Sequence, residues 1–197
     1  MKQIKTALIT VFNKDGIDEI AKLLHKLGAD IYSTGGTAGF IEKLDVPVIT
    51  VETLTGYPSI LGGRVKTLHP KVFGGILSRR GNEADQKDME KYEIPEMDLV
   101  IVDLYPFEKT VESGASHSEV VEKIDIGGIS LIRAAAKNYK DVVIISAQYQ
   151  YPILLSILEK NGAQTSSTER FNLCCMAFEV TSGYDTAIKN YFGKFTE

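Results

Sequence analysis

Two cations and a hydroxyl lie within the four residues Arg64-Val65-Lys66-Thr67, directly after the glycine pair Gly62-Gly63. The chain as a whole is acidic, because its 22 Lys and Arg face 26 Asp and Glu, which gives a net charge of −4. A basic cluster in an acidic chain, beside glycines that permit close packing, favours a site for an anionic ligand. A basic surface loop is the alternative.

A second segment, Thr34-Gly35-Gly36-Thr37, is suited to a phosphate group. Glycines let the backbone approach a ligand closely, and two hydroxyls with the amides of a helix N-terminus can hold the anion. The segment lacks the Gly-Lys-Ser/Thr ending of a P-loop, and an ordinary turn is an equal alternative. Lys14, on the turn after the first predicted strand, would add positive charge unless it is simply solvated.

The third segment, Asp125-Ile126-Gly127-Gly128, combines a carboxylate with backbone amides at a predicted helix start, an arrangement that suits an oxyanion. Lys137 follows the run Ala134-Ala135-Ala136, whose small side chains indicate close packing. Lys137 is therefore either a partly buried lysine suited to proton transfer or an ordinary lysine at a helix C-terminus.

Histidine and cysteine spacing argues against a metal site. His25, His69 and His117 are far apart, and no Cys-x-x-Cys pattern is present. Adjacent cysteines rarely bridge each other, so we expect Cys174 and Cys175 to be reduced thiols, packed in the interior of a cytoplasmic protein. The candidate groups together suit a phosphorylated, anionic small molecule and acid–base chemistry without a cofactor.

Alternating strand-like and helix-like segments position these residues in the first half of the chain. In chain order they are a strand at 7–12, a helix at 17–27, a strand at 30–34, a glycine turn at 35–39 leading to a short helix near 40–44, and a strand at 46–51. This order favours a parallel sheet, in which ligands bind at the carboxyl ends of the strands.

The rest of the chain predicts one α/β domain with a helical C-terminal extension. Its segments are an irregular stretch at 53–80, a helix at 83–92, a strand at 99–104, helices at 118–123 and 130–137, a strand at 142–146, and a mainly helical tail at 151–191 broken near 161–162 and 165–167. A long irregular stretch inside a compact domain is usually functional.

Composition narrows the class of protein. The acidic balance argues against nonspecific nucleic-acid binding. No segment approaches the roughly 18 apolar residues that span a bilayer, so no membrane partner is expected. The N-terminus lacks the apolar stretch of a signal peptide, which again favours a cytoplasmic protein.

The ordered motifs together resemble those of the inosine monophosphate (IMP) cyclohydrolases. These enzymes form the N-terminal half of a bifunctional purine-biosynthesis protein that also contains an aminoimidazole-carboxamide ribonucleotide (AICAR) transformylase. The resemblance runs from about residue 5 to residue 192. The motifs that carry it are Thr34-Gly35-Gly36-Thr37, Gly62 to Pro70, Asp103-Leu104-Tyr105-Pro106-Phe107, Asp125-Ile126-Gly127-Gly128, Arg133 to Asn138 and Tyr184-Asp185.

The resemblance implies a fold and a reaction. The fold is like that of methylglyoxal synthase, a mostly parallel sheet flanked by helices, with residues 1–197 forming one cyclohydrolase domain and no transformylase domain. The reaction closes 5-formamidoimidazole-4-carboxamide ribonucleotide (formyl-AICAR) to IMP with loss of water, and requires no metal or cofactor. A homodimer is expected, together with an AICAR transformylase that is either a separate protein or originally fused.

The resemblance also assigns roles to residues. Lys66 would stabilise the formyl oxyanion, Asp125 would accept a proton from the carboxamide nitrogen, and Tyr105 would assist. Lys137 would be the principal proton donor or acceptor. The positions implied to bind substrate are Phe12, Asn13, Lys14, Thr34, Gly35, Gly36, Thr37, Arg64, Val65, Thr67, Val102, Asp103, Ile126, Gly127 and Gly128.

Two departures from the family pattern keep alternatives open. The usual first turn is Ser-x-Ser-Asp-Lys-Thr-Gly, whereas this chain has Phe12 in place of a hydroxyl and Asp15 beside Lys14. Asp103 stands where the family usually has Asn, and an ionised Asp cannot donate a hydrogen bond. One alternative is a nucleotide-binding regulatory module on the same fold. The other is methylglyoxal synthase, whose catalytic motifs are not visible.

Overall fold

A five-stranded, all-parallel sheet forms the centre of the structure, a computed structural model that describes residues 1–195. The strands are β1 Lys2–Gln3, β2 Thr6–Val11, β3 Asp30–Ser33, β4 Ile49–Thr50, β5 Leu99–Asp103, β6 Val143–Ile145 and β7 Gln164–Thr165. The central sheet has the order β4-β3-β2-β5-β6, with Ala7 opposite both Ile31 and Leu99. Strands β1 and β7 pair separately as a short antiparallel ribbon.

Ten α-helices surround the sheet in the described part of the chain. They are α1 Ile17–Lys26, α2 Gly35–Glu42, α3 Val51–Thr55, α4 Pro70–Leu77, α5 Glu83–Lys91, α6 Phe107–Glu112, α7 His117–Glu122, α8 Gly127–Lys137, α9 Tyr151–Asn161 and α10 Ser167–Gly193. The predicted architecture, a mostly parallel sheet flanked by helices with a helical C-terminal extension, is confirmed.

The sheet is buried on both faces. Consecutive residues of a strand point to opposite faces, yet Leu8 and Ile9 are both fully buried, as are Val100 and Ile101. This pattern is typical of parallel sheets that are covered by helices on each side. The strands therefore hold their carboxyl ends, where Thr10, Thr34 and Asp103 lie, in a rigid frame.

Helix α8 packs closely between the sheet and α10. The alanine run Ala134-Ala135-Ala136 is buried, as the small side chains predict, and the Cys174 thiol donates to the carbonyl oxygen of Ala136 at 3.2 Å. Both cysteines are free thiols. The expectation of interior packing is confirmed for Cys174 and wrong for Cys175, which is exposed.

A second, smaller apolar cluster joins α6, α7 and the C-terminal half of α10. Its buried members are Phe107, Val120 and Tyr191. His117 begins α7 and is exposed, and its ring stacks on Tyr191 with a centroid distance of 5.7 Å. This cluster supports the segment between α7 and α8.

Several predicted boundaries are wrong because local capping overrides hydrophobic patterning. Strand β4 covers only two residues, since the Thr50 side chain accepts from Thr53 N and starts α3. The stretch 53–80, expected to be irregular, contains α4, which begins at Pro70. Helix α6 and the β1–β7 ribbon are not predicted at all.

Candidate active site

An open cleft of about 610 Å³ lies at the carboxyl ends of β2, β3 and β5. These ends carry Thr10, Thr34 and Asp103, and the cleft is closed on its other sides by the turn at Gly62-Gly63 and by the segment 121–128. The three sequence segments with candidate chemistry therefore meet at one place, the edge where open parallel sheets bind ligands.

The N-terminus of α2 opens into the cleft. The helix starts at Gly35, directly after Thr34, rather than near residue 40 as predicted. The Thr34 side chain does not cap it, because its hydroxyl lies 3.1 Å from the Thr10 hydroxyl. The first amides of a helix have no acceptor within the helix, so those of α2 are available to an anion.

Thr37 has a structural role that the sequence does not reveal. Its hydroxyl accepts from Val11 N at 3.3 Å and donates to Val11 O at 3.0 Å, so its proton is already engaged. The expectation that this hydroxyl donates to a bound phosphate is therefore not supported. Instead, Thr37 ties the first turn of α2 to the end of β2 and fixes where the amides point.

Lys14 supplies positive charge beside this helix terminus. Its ammonium donates to the carbonyl oxygens of Val11 at 2.9 Å and Phe12 at 2.7 Å. Burial lowers the pKa of Lys14, the nearby Asp103 carboxyl opposes that shift, and the charge of Lys66 adds to it. One of the three ammonium protons remains for a ligand.

Asp103, the departure from the usual Asn, acts as an acceptor. Its Oδ2 accepts from the backbone N–H of Asn13 at 2.9 Å. Burial raises the pKa of the Asp103 carboxyl, while that hydrogen bond and the charges of Lys14 and Lys109 lower it. The carboxylate thereby holds the turn after β2 in place, a contact that needs no donor.

The basic segment forms a wall of the cleft. Gly62 and Gly63 both have positive φ, 65° and 91°, in the turn that brings Arg64 to the rim. The Arg64 guanidinium makes a two-point ion pair with the Glu122 carboxylate, and both side chains are exposed. Within residues 1–195 the Lys66 ammonium has no hydrogen-bond or ion-pair partner, so it is free to meet a ligand.

Asp125 faces Lys66 from the segment before α8. Its Oδ1 accepts from Gly128 N at 2.7 Å. Burial raises the pKa of Asp125 and the Asp103 charge adds to this, while the amides of Gly128 and Tyr105 and the charge of Lys66 act in the opposite direction. The sequence predicts that the amides at this helix start hold an oxyanion. Gly128 N is not free to do so, because it donates to the Asp125 carboxylate.

Two aromatic rings line the rim. Phe12 and Tyr105 lie 5.2 Å apart between centroids, and the Lys123 ammonium lies 5.3 Å from the centre of the Tyr105 ring. Both rings are partly exposed, at 46% and 40%. The rim therefore offers flat apolar surface beside the charged floor, which suits a ligand with both a planar ring and a phosphate.

Most of the predicted site residues line this one cleft. The exceptions are Asn13, Gly35, Val65 and Lys137. The first three are chain neighbours of lining residues, and their backbones shape the wall. The lining residues missing from the prediction are Thr10, Val11, Gly62, Gly63, Val121 to Ile124 and Leu131. For Val121 to Ile124, the position directly before Asp125 is the signal that would have found them.

Lys137 is not brought to the cleft. It is exposed at the C-terminal end of α8, whereas the N-terminal end of that helix forms the wall. At about 1.5 Å per residue, the helix separates the two ends by roughly 15 Å. Of the two alternatives for Lys137, the ordinary lysine at a helix C-terminus fits the structure.

A second groove, of about 570 Å³, lies beside α5 and shares no residue with the cleft. Its two arginines are already paired, Arg79 with Asp85 at 2.6 Å and Arg80 with Glu96 at 3.3 Å. Two further glutamates, Glu90 and Glu93, also line it. This groove therefore offers no free cation to an anionic ligand.

Two protein-family models match consecutive segments of the chain. A model of the MGS-like domain family matches residues 16–130, which include every wall of the cleft except Thr10 to Lys14 and Leu131. The chain belongs to the MGS-like domain family. A second model, of the AICARFT/IMPCHase bienzyme, matches residues 135–197.

Two relatives named bifunctional purine biosynthesis protein PurH are similar along the whole MGS-like domain and beyond it. The protein of Bacteroides thetaiotaomicron is 62% identical over 191 residues, 97% of this chain. That of Neisseria gonorrhoeae is 46% identical over 198 residues, 100% of this chain. The chain spans 38% of the length of each relative.

A solved structure supports the fold independently. The crystal structure of ForH is similar with a TM-score of 0.81 and 34% sequence identity, over 95% of this chain and 96% of ForH. Two further observations bear on the class of protein. No group of three His, Cys, Asp or Glu among residues 1–195 is arranged to hold a metal ion. No helix in that range is long and apolar enough to cross a bilayer.

Proposed function

We propose that this chain is an IMP cyclohydrolase, which closes the second ring of the purine in formyl-AICAR. One observation carries the proposal. A free lysine, Lys66, and a partly buried carboxylate, Asp125, face each other across a cleft whose far end is an uncapped helix N-terminus. The PurH relatives, named as purine biosynthesis proteins, support the same step.

The substrate phosphate would bind at the N-terminus of α2. The amides of Gly35 and Gly36 and the charge of Lys14 stabilise its oxygens, as fixed dipoles and cations do at such sites. Arg64 joins them when it leaves Glu122. The base then extends toward Tyr105 and Asp125 along the rim.

The ring closes by attack of the carboxamide nitrogen on the formamido carbon. A carbon–nitrogen bond forms, and the formyl oxygen becomes an oxyanion that Lys66 stabilises and protonates. Asp125 accepts the proton that the attacking nitrogen loses and then gives it to the hydroxyl formed from the formyl oxygen, which leaves as water. The formamido nitrogen loses its proton to Lys66 as the ring C=N bond forms, so both side chains return to their starting states. Both reacting groups belong to one molecule, so holding them in contact supplies much of the rate.

The protonation states fit these roles. Burial raises the pKa of the Asp125 carboxyl, which makes it a stronger base than an exposed aspartate. Tyr105 lies beside the Asp125 carboxylate, since its backbone amide donates to that group. We propose that Tyr105 orients the Asp125 carboxylate and the path of the transferred proton.

Lys137 takes no part in this scheme within one chain. The resemblance implies a proton-transfer role for it, but it is exposed at the far end of α8 and does not line the cleft. Lys137→Ala should therefore leave the rate of ring closure unchanged. Loss of activity in a folded variant would contradict this and support the role that the resemblance implies.

Three wider assignments complete the proposal and rest on the resemblance. Residues 1–197 act as one cyclohydrolase domain, the chain forms a homodimer, and it works in the cytoplasm. Formyl-AICAR reaches it from an AICAR transformylase, either fused or separate. The second family match and the bifunctional relatives support that association.

The test is ring closure by the purified chain. Formyl-AICAR is added and IMP formation is followed by absorbance, beside calorimetric binding of IMP. We expect turnover without added metal or cofactor. Tight IMP binding without turnover by folded protein would contradict the proposal and indicate a regulatory module on the same fold.

A further inference from the structure

Tyr184 connects the long C-terminal helix to the segment that carries Asp125. Its hydroxyl accepts from the backbone N–H of Asp125 at 2.8 Å and donates to the carbonyl oxygen of Lys123 at 3.1 Å. Tyr184 belongs to α10, in the part of the chain matched by the second family model, whereas Asp125 lies in the MGS-like part. One side chain thus links the two matched segments at the cleft.

The Asp125 side chain and backbone are held by different groups. The carboxylate accepts from the amides of Gly128 and Tyr105, both within the cleft wall. A Cβ on Gly128 would lie 2.6 Å from Asp125 Oδ2, so the carboxylate has little freedom there. Within residues 1–195, the backbone amide of Asp125 is bound only by the Tyr184 hydroxyl.

Tyr184 is itself well supported. Its ring meets Phe107 edge-on at 6.1 Å in the small cluster that also contains Val120 and Tyr191. Burial raises the pKa of Tyr184 to about 12, so the hydroxyl keeps its proton and can donate to Lys123 O at all ordinary pH values. The anchor is therefore fixed at both ends.

We propose that Tyr184 is a positioning residue for ring closure, which holds the 123–125 segment so that the Asp125 carboxylate faces the attacking nitrogen. This inference rests on the proposed function. Tyr184 does not line the cleft, so it acts through Asp125 and not on the substrate. The proposed phosphate site lies on β2 and α2, away from this segment, so binding of the phosphate does not depend on it.

The first test separates rate from binding. Tyr184→Phe removes the hydroxyl and keeps the ring on Phe107. Because small misplacements of a reacting group cost up to about 100-fold, we expect kcat for IMP formation to fall roughly 10- to 100-fold while KM changes less than about twofold. A wild-type kcat in Tyr184→Phe would overturn the proposal.

Tyr191→Phe is the matched control. Tyr191 lies on the same helix and in the same cluster, but its hydroxyl meets His117 Nδ1 at 3.0 Å and not the 123–125 segment. Its removal should leave both kcat and KM within about twofold of wild type. An equal loss of kcat in the two variants would also overturn the proposal, because it would indicate general weakening of the cluster.

A second measurement does not depend on activity. Amide hydrogen exchange at Asp125 in the unliganded protein, followed by NMR, should accelerate at least about tenfold in Tyr184→Phe and stay unchanged in Tyr191→Phe. Unchanged exchange in Tyr184→Phe would overturn the positioning role. If the wild type forms no IMP, the proposed function fails, and the exchange result still decides whether Tyr184 anchors Asp125.

Discussion

Lys66 and Asp125 lie in the same cleft, but only Asp125 has hydrogen-bond partners in the described chain. Lys66 has no partner in the described chain and is free to move toward a ligand, whereas Asp125 is fixed by the amides of Gly128 and Tyr105. An unpaired cation opposite a hydrogen-bonded carboxylate suits a reaction in which the cation stabilises a forming oxyanion while the carboxylate receives a proton at a set position.

Asp125→Asn should abolish most activity and stabilise the protein at neutral pH. The folded pKa of Asp125 is raised above 3.8 by burial, so the folded state holds this proton more tightly than the unfolded chain. Stability therefore falls as pH rises from 3.8 through the raised pKa, and the uncharged Asn escapes that loss. We expect a higher Tm at pH 7 with a rate reduced roughly 10²- to 10⁴-fold.

Asp185→Asn, an exposed change on α10, is the control for Asp125→Asn and should alter neither Tm nor rate. The wild-type pH–rate profile should also show an acid limb above pH 3.8, because Asp125 must be ionised to accept a proton. Wild-type turnover in Asp125→Asn would remove Asp125 from the mechanism.

Arg64 is held at the rim by Glu122 before any ligand binds. Glu122→Gln should tighten IMP binding, because the guanidinium no longer has to leave a carboxylate to reach the phosphate. Exposed ion pairs are weak, so the gain should be no more than about fivefold and should shrink at high salt. Calorimetry at low and high salt measures it, and weaker binding in Glu122→Gln would be the contrary result.

At the scale of elements, the phosphate site depends on how α2 is attached to β2. Thr37→Val keeps the side-chain shape but leaves the buried N–H of Val11 without its acceptor. We expect a stability loss of about 1–3 kcal/mol in urea unfolding, together with a raised KM. Thr186→Val is the control, since that exposed hydroxyl donates only to Ser182 O in its own helix.

Two helical glycines should respond in opposite ways to alanine. A Cβ on Gly75 in α4 would lie 2.3 Å from Pro95 O and 3.1 Å from Met97, so Gly75→Ala forces backbone apart and lowers Tm. Gly39 in α2 has open space at that position, and Gly39→Ala should raise stability by up to about 1 kcal/mol. Equal Tm changes in the two variants would contradict the close approach of α4 to the chain before β5.

Helices and strands whose apolar residues recur at a regular spacing were predictable from the sequence, and elements whose ends are set by capping residues were not. The apolar runs at 7–12 and 99–104 correspond to β2 and β5, and the spacing of Ile17, Ile20 and Leu24 marks α1. Helix α3 begins at a Thr50 cap, and α6 has only six residues, too few for a visible period. Strands β1 and β7 pair across more than 160 residues, which no local pattern shows.

The site was predictable where residue type decides the role and unpredictable where contacts decide it. Lys66, Tyr105 and Asp125 lie in the cleft as their motifs indicate. Thr37 and Gly128 lie there too, but their polar groups are engaged by Val11 and Asp125, which depends on the exact approach of α2 and α8. Lys137 is placed by the length of α8, and a motif gives no information about distance along a helix axis.

At the scale of the whole molecule, α10 supports the cleft from outside, since none of its described residues lines it. It packs along α8 and β6, it holds Cys174 against Ala136, and it reaches the Asp125 segment through Tyr184. The two matched family segments are therefore joined by buried contacts and by hydrogen bonds at the cleft wall. The MGS-like part contains Lys66 and Asp125, and the C-terminal part contacts the Asp125 segment through Tyr184.

The measurement that tests the account most directly is ring closure by three matched proteins: wild type, Lys66→Met and Lys71→Met. Lys66 lies in the cleft without a partner, while Lys71 lies outside it near Glu93, at 3.8 Å. We expect wild type and Lys71→Met to form IMP at the same rate, and Lys66→Met to lose at least about 100-fold in kcat with an unchanged Tm. Equal rates in all three would contradict the account.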